Sequence, residues 1–92
     1  MVSNTSRNQE LLDLMVSDDY PYRNIELTKN EYWDLRDFAK EKCFIIREEE
    51  EESKWEYRYE LEFIYKSKAL LLKHFKSYTS DCEYFLLHCD KP

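Results

Sequence analysis

The sequence predicts a small α+β fold, in which an antiparallel sheet of three or four strands carries two or three helices on one face. The first indication is the segment from Trp55 to Tyr65, where every odd position is apolar or aromatic and most even positions are charged. A period of two is typical of a strand with one buried face. The second indication is Thr28-Lys29-Asn30-Glu31, a capping box that predicts the start of a helix.

The elements before the acidic segment follow in chain order. Apolar residues recur at helical spacing from Leu11 to Val16, so we expect a short helix over 7–17 that ends before the turn at Pro21. A short extended segment is expected over 22–27, and the capped helix over 29–42, with an apolar stripe on one side and lysines at its C-terminal end.

The second half predicts a hairpin, a helix and a strand. We expect the first hairpin strand to begin at 43–47, the turn to fall within 49–54, and the second strand to cover 55–65. The segment KSKALLLKHFKSY places Ala69, Leu72 and Phe75 on one helical face, so we expect a helix over 66–78, with a strand as the alternative. The apolar segment over 82–89 predicts a mostly buried final strand.

Length and cysteine content limit the organisation of the chain. We expect 92 residues to form one domain over 1–92, with frayed ends at 1–6 and 90–92. There is no apolar run of about 18 residues and no secretory signal pattern, so no membrane association is expected. Three cysteines, Cys43, Cys82 and Cys89, predict reduced, buried thiols in a cytoplasmic protein. An intersubunit disulfide is the alternative.

The residue types argue against an enzyme. The chain has no glycine, which phosphate-cradling loops and nucleophile elbows require. Cys82 and Cys89 are seven residues apart and would face opposite sides of a strand, so neither metal nor cofactor is expected. Glu52-Ser53-Lys54 matches a nuclease triplet, but it ends a run of five glutamates, and nothing basic nearby would hold a nucleic acid.

Charge is concentrated in the predicted hairpin. The chain has a net charge of −6, and residues 44–65 carry eight acids against three bases. Such a region repels phosphate and anionic lipid and attracts basic surfaces, so we expect no direct binding of nucleic acid or membrane. The segment IELTKNEYWDLRDFA is similar to the strand–helix opening of winged-helix transcription factors. However, no basic recognition helix follows, and the acidic hairpin would replace the basic wing.

We therefore expect a non-enzymatic inhibitor or decoy that occupies a basic, nucleic-acid-binding surface of a partner protein. Small size, acidity and the lack of a catalytic motif resemble the style of phage anti-CRISPR and anti-restriction proteins. The expected partner-binding residues are eight carboxylates: Glu48, Glu49, Glu50, Glu51, Glu52, Glu56, Glu60 and Glu62.

Three alternatives remain open. An immunity protein or antitoxin would use the same charges together with an aromatic anchor, for which Trp33, Tyr20 and Tyr22 are the candidates. A small subunit with an apolar interface, such as a homodimer, would instead bind its partner independently of salt. Finally, a run of glutamates can be a solvated loop that only protects the hairpin from aggregation.

Overall fold

The computed structural model describes residues 4–90, which form two helices and five strands. In chain order these are α1 (Asn4–Val16), β1 (Asn24–Leu27), α2 (Lys29–Lys42), β2 (Phe44–Glu52), β3 (Glu56–Tyr65), β4 (Lys68–Ser77) and β5 (Glu83–Cys89). The strands form one antiparallel sheet in the order β1-β5-β4-β3-β2. Strands β2 to β5 therefore form a meander, and β1 pairs with β5 at the edge of the sheet opposite β2.

Helix α2 begins at the predicted capping box. The Thr28 hydroxyl accepts a hydrogen bond from the Glu31 amide at 3.2 Å, and the Glu31 carboxylate accepts one from the Thr28 amide at 2.9 Å. These two bonds satisfy amides that the first turn leaves without intrahelical partners. The helix buries Tyr32, Leu35 and Ala39 against the sheet.

One hydrophobic core lies between the two helices and one face of the sheet. Helix α1 contributes Leu11, Leu12 and Met15, and all three are buried, as the helical spacing predicted. Helix α1 begins at Asn4, within the end expected to be frayed over 1–6; residues 1–3 and 91–92 lie outside the described residues.

The sheet buries one residue in two along each central strand. On β3 the buried positions are Tyr59, Leu61 and Phe63, which are the odd positions expected to form the core. The alternate positions of the same strands point to the opposite face, which we call the open face because neither helix packs on it within residues 4–90.

The predicted fold class is wrong in its sheet, which has five strands instead of three or four; two helices pack on it. The expected helix over 66–78 is strand β4, which pairs with β3 at ten positions and with β5 at seven. Its apolar residues occupy both parities, so periodicity alone did not distinguish helix from strand. The segment is extended because it pairs with β3 on one side and β5 on the other, and both ladders require an extended neighbour.

A tight turn joins β3 to β4. Its central residues, Lys66 and Ser67, have φ values of 49° and 66°. Positive φ at both central positions is the requirement of a two-residue hairpin turn whose twist matches that of the strands. Lys66 also pairs with Asp13 of α1 at 2.7 Å, which ties this turn to the helix.

Candidate partner-binding surface

The β2–β3 hairpin carries all eight carboxylates expected to bind a partner. The prediction that the turn lies within 49–54 is wrong in its extent, because β2 remains extended through Glu52 and only residues 53–55 connect the strands. Alternation along β2 therefore divides the glutamate run between the two sides of the sheet. Glu48, Glu50 and Glu52 lie on the helix side, and Glu49 and Glu51 lie on the open face.

Tyrosine hydroxyls hold the three glutamates on the helix side. Each hydroxyl donates to one carboxylate oxygen at 2.5 Å: Tyr59 to Glu48, Tyr57 to Glu50 and Tyr78 to Glu52. Burial and the hydrogen bond to Glu50 together raise the pKa of Tyr57 to about 12. A neutral donor fixes the position of a carboxylate without cancelling its charge.

On the open face, Arg47 and Lys73 partly compensate the negative charge of the inner part of the hairpin. Glu49 and Glu60 lie directly opposite each other on neighbouring strands, which would be repulsive alone. The Arg47 guanidinium lies 3.0 Å from Glu49, 3.1 Å from Glu60 and 3.4 Å from Glu62. These three carboxylates share the Arg47 guanidinium, and their hydrogen bonds to it raise its pKa. Glu60 also lies 3.7 Å from the Lys73 ammonium group.

The remaining cations divide unevenly along the hairpin. Lys40 of α2 lies 2.9 Å from Glu48, and Arg58 lies 2.8 Å from Glu56. Over residues 4–90, no lysine, arginine or histidine nitrogen lies within 4.0 Å of the carboxylates of Glu50, Glu51 or Glu52. The carboxylates without a direct ion pair thus lie at the outer end of the hairpin, which we call the acidic tip (residues 50–52), where Arg58 of β3 lies opposite Glu51.

Of the predicted aromatic anchors, only Trp33 is associated with the acidic hairpin. Its side chain is 42% exposed, and the Arg36 guanidinium lies 4.9 Å from its ring and 3.9 Å from the ring of Tyr59, the donor to Glu48. Arg36 thus connects Trp33 to the carboxylate row through cation–π contacts.

Tyr20 and Tyr22 are placed elsewhere. Their rings contact each other at 5.3 Å in the connection between α1 and β1. Because β1 and β2 form opposite edges of the sheet, the structure does not bring these two tyrosines to the hairpin.

Two aromatic residues next to the acidic tip, Trp55 and Tyr78, were not among the predicted anchors. Trp55, expected on the buried face of the strand, lies in the turn and is 61% exposed. Tyr78 lies just beyond β4, and its amide donates to the Trp55 carbonyl at 2.8 Å. The strand pattern included Trp55 because its parity matched. Ser53 could have indicated that Trp55 lies in the turn, because serine favours turns. In the structure its hydroxyl accepts hydrogen bonds from the amides of Trp55 and Glu56.

The candidate catalytic and metal-ligating residues are dispersed. Among residues 4–90, no three histidine, cysteine or acidic side chains are placed to hold a metal ion. The expectation of buried cysteines is wrong for Cys82, which is exposed; Cys89 is buried and Cys43 is half-buried, and burial raises the pKa of the Cys43 thiol. His74, expected on a helix, stacks on Phe85 at 4.4 Å and bonds to Glu83 at 2.8 Å.

Comparisons with known proteins do not indicate a function, which therefore has to be inferred from the geometry. No protein-family model, curated protein or solved structure matches the chain significantly. Neither of the described helices has the length and apolar character needed to cross a bilayer.

Proposed function

We propose that this protein is a non-enzymatic inhibitor or decoy whose acidic tip binds the basic, nucleic-acid-binding surface of a partner protein. The observation that carries the proposal is the absence of any cationic side chain within 4.0 Å of Glu50, Glu51 and Glu52 in the described part of the chain, although the hairpin carries Arg47 and Arg58. Carboxylates already paired with arginine attract a further cation less strongly than carboxylates without an ion pair. The carboxylates at the acidic tip remain available to bind a cation of the partner.

The spacing of the carboxylates supports a decoy of a polyanion. Residues two apart on a strand are separated by about 6.7 Å, and the opposite face of β2 adds a second row offset by one residue. On each face the carboxylate spacing is about twice the 3.4 Å spacing of phosphates along a nucleic acid strand, so the charge density is of the same order. Because Tyr57 and Tyr78 hold Glu50 and Glu52, less side-chain freedom is lost when lysine or arginine binds. Such a decoy would be of the anti-CRISPR or anti-restriction kind.

An immunity protein or antitoxin is the second candidate function, and exposed Trp55 favours it. A tryptophan beside a charged cluster is a frequent hot spot in tight, specific protein complexes. Both candidates would act in the cytoplasm, in keeping with an odd number of cysteines. They differ in one property: a decoy and nucleic acid compete for the same surface of the partner, whereas a toxin can be neutralised elsewhere.

The test is capture of partners from a nuclease-treated host lysate. Three baits are compared at low and high salt: the wild type, the acidic-tip variant E50Q/E51Q/E52Q, and a control, D19N/D37N/E41Q, that removes three charges elsewhere. With about 0.5 kcal/mol for each exposed ion pair, the acidic-tip variant should bind the partner roughly tenfold more weakly, and the control should bind like the wild type.

Competition with nucleic acid distinguishes the decoy from the immunity protein, and the acidic-tip variant shows whether the acidic tip binds the partner at all. Displacement of the captured partner by a double-stranded DNA or RNA oligomer supports the decoy, and its persistence favours the immunity protein. If the acidic-tip variant retains the same partners with the same salt dependence, the acidic tip is not the binding surface.

A further inference from the structure

The open face carries an apolar band on β4 and β5, two of the three inner strands of the sheet. Leu71 and Phe75 of β4 and Tyr84 and Leu86 of β5 point to this face, and the rings of Phe75 and Tyr84 stack at 5.3 Å with planes 23° apart. In a sheet covered on one face only, residues on the opposite face are usually polar. Here β4 and β5 have the composition of strands buried on both faces, while α1 and α2 cover only one.

The band lies in a concave surface large enough for a side of a helix. An open depression of about 480 Å³ is lined by Leu71, Tyr84 and Leu86 together with the polar residues Asn24, Glu26, Lys73 and His88. A smaller one of about 190 Å³ adjoins it at Lys73 and Tyr84 and continues towards β3. Neighbouring strands lie about 4.8 Å apart, so a helix about 10 Å wide would span β4 and β5.

The charges around the band favour one kind of occupant. The open face carries six carboxylates (Glu26, Glu49, Glu51, Glu56, Glu60 and Glu62) against three cations (Arg47, Arg58 and Lys73). A second copy of the chain would bring the same excess of negative charge, and nucleic acid or anionic lipid would be repelled in the same way. A basic protein segment is attracted.

We infer that the open face binds an amphipathic basic helix of the partner. Its apolar stripe would lie on Leu71, Tyr84 and Leu86, and its lysines or arginines would lie over the carboxylates of β2 and β3. This inference rests on the proposed function in requiring a basic partner, and it adds a second contact surface of different chemistry. Helices would then pack on both faces of the sheet.

The test uses a defined probe. A fluorescent leucine–lysine peptide with helical periodicity is titrated into the wild-type protein by anisotropy, and a peptide of the same composition with alternating leucine and lysine is its control. Binding of the helical peptide should weaken roughly tenfold in L71T/L86T, because two apolar contacts are lost. The variant Y22T, which removes exposed apolar surface elsewhere, should bind like the wild type.

A second measurement does not depend on how the variants fold. In a two-dimensional NMR titration of wild-type protein, the helical peptide should shift the amides of β4 and β5 together with those of β2 and β3. Shifts confined to residues 50–52, equal binding of the two peptides, or unchanged binding to L71T/L86T would each overturn the inference. A dimer that dissociates in L71T/L86T would show that a second copy covers the face, and would overturn it too.

Comparing L71T/L86T with the acidic-tip variant in the lysate capture distinguishes failure of this inference from failure of the proposed function. If E50Q/E51Q/E52Q loses the lysate partner while L71T/L86T retains it, the proposed function stands and the open face is not part of the interface. If neither variant loses the partner, both proposals fail.

Discussion

Removing the Tyr59 hydroxyl should weaken the fold in a pH-dependent way. In Y59F the ring keeps its place in the core and its contact with Arg36 at 3.9 Å, while the 2.5 Å hydrogen bond to Glu48 is lost. The substitution therefore changes one interaction and leaves the packing volume nearly unchanged. It tests whether the tyrosine hydroxyls stabilise the acidic strand.

The magnitude follows from the surroundings of the two groups. A hydrogen bond to a charged group contributes about 1.5–3 kcal/mol. Glu48 is 38% exposed and also pairs with Lys40 at 2.9 Å, so water and lysine can replace part of the lost interaction. We therefore expect the free energy of unfolding to fall by about 1.5 kcal/mol near pH 7.

The pH dependence has a definite sign. The hydrogen bond from Tyr59, followed by that from Lys40, lowers the pKa of Glu48 below its ordinary value of 4.5. A carboxyl group with a lowered folded-state pKa contributes stability above its unfolded-state pKa and loses it as the pH falls through the folded-state pKa. The difference between wild type and Y59F should thus be complete near neutral pH and shrink below about pH 4.

The assay is urea denaturation of both proteins at several pH values. Y84F serves as the control, since within residues 4–90 the Tyr84 hydroxyl donates to no carboxylate. An equal loss of stability in Y59F at neutral and acidic pH would assign the effect to packing instead. No loss at neutral pH would refute the reasoning outright.

Three further predictions concern the cap, the acidic tip and the arginine on the open face. T28A should lower the free energy of unfolding by about 1 kcal/mol in urea denaturation, and T28S should restore most of it, because the cap needs only a hydroxyl. Tyr57 should remain protonated at about pH 11 when its ring is followed by NMR, and E50Q should lower its pKa from about 12 by only part of the shift, because burial, the larger cause, remains; an unchanged Tyr57 titration in E50Q would contradict the hydrogen bond. R47M should destabilise the protein at low salt and less at high salt, because salt screens the repulsion of Glu60 by its neighbours. A salt-independent effect would argue against that repulsion.

Local signals in the sequence were sufficient for α2 and for the buried face of β3. The capping box at Thr28 and the alternation from residue 57 to 63 each depend on neighbouring residues only, and the structure confirms both. Strand β4 required non-local information. Leu70, Leu71 and Leu72 suit a buried helix as well as a strand, and the choice depends on pairing with β3 and β5.

The acidic hairpin was predictable as a region but not in its detail. Counting charges located the negative end of the molecule. It did not show that Arg47 compensates Glu49, Glu60 and Glu62, because this depends on the register between β2 and β3 and on the irregularity between residues 45 and 47. The tyrosine partners were also not predicted, since the Tyr78–Glu52 contact joins residues 26 apart.

The turn at Lys66 and Ser67 has a consequence for engineering the protein. The chain has no glycine, so residues with side chains take the left-handed conformation there, at a cost of about 1 kcal/mol each. A glycine at position 67 would relieve that cost and should make S67G more thermostable than the wild type. Lys66 is different, because the same residue tethers α1 through Asp13. Position 67 is therefore the place to gain thermal tolerance while leaving the acidic tip and the open face unchanged.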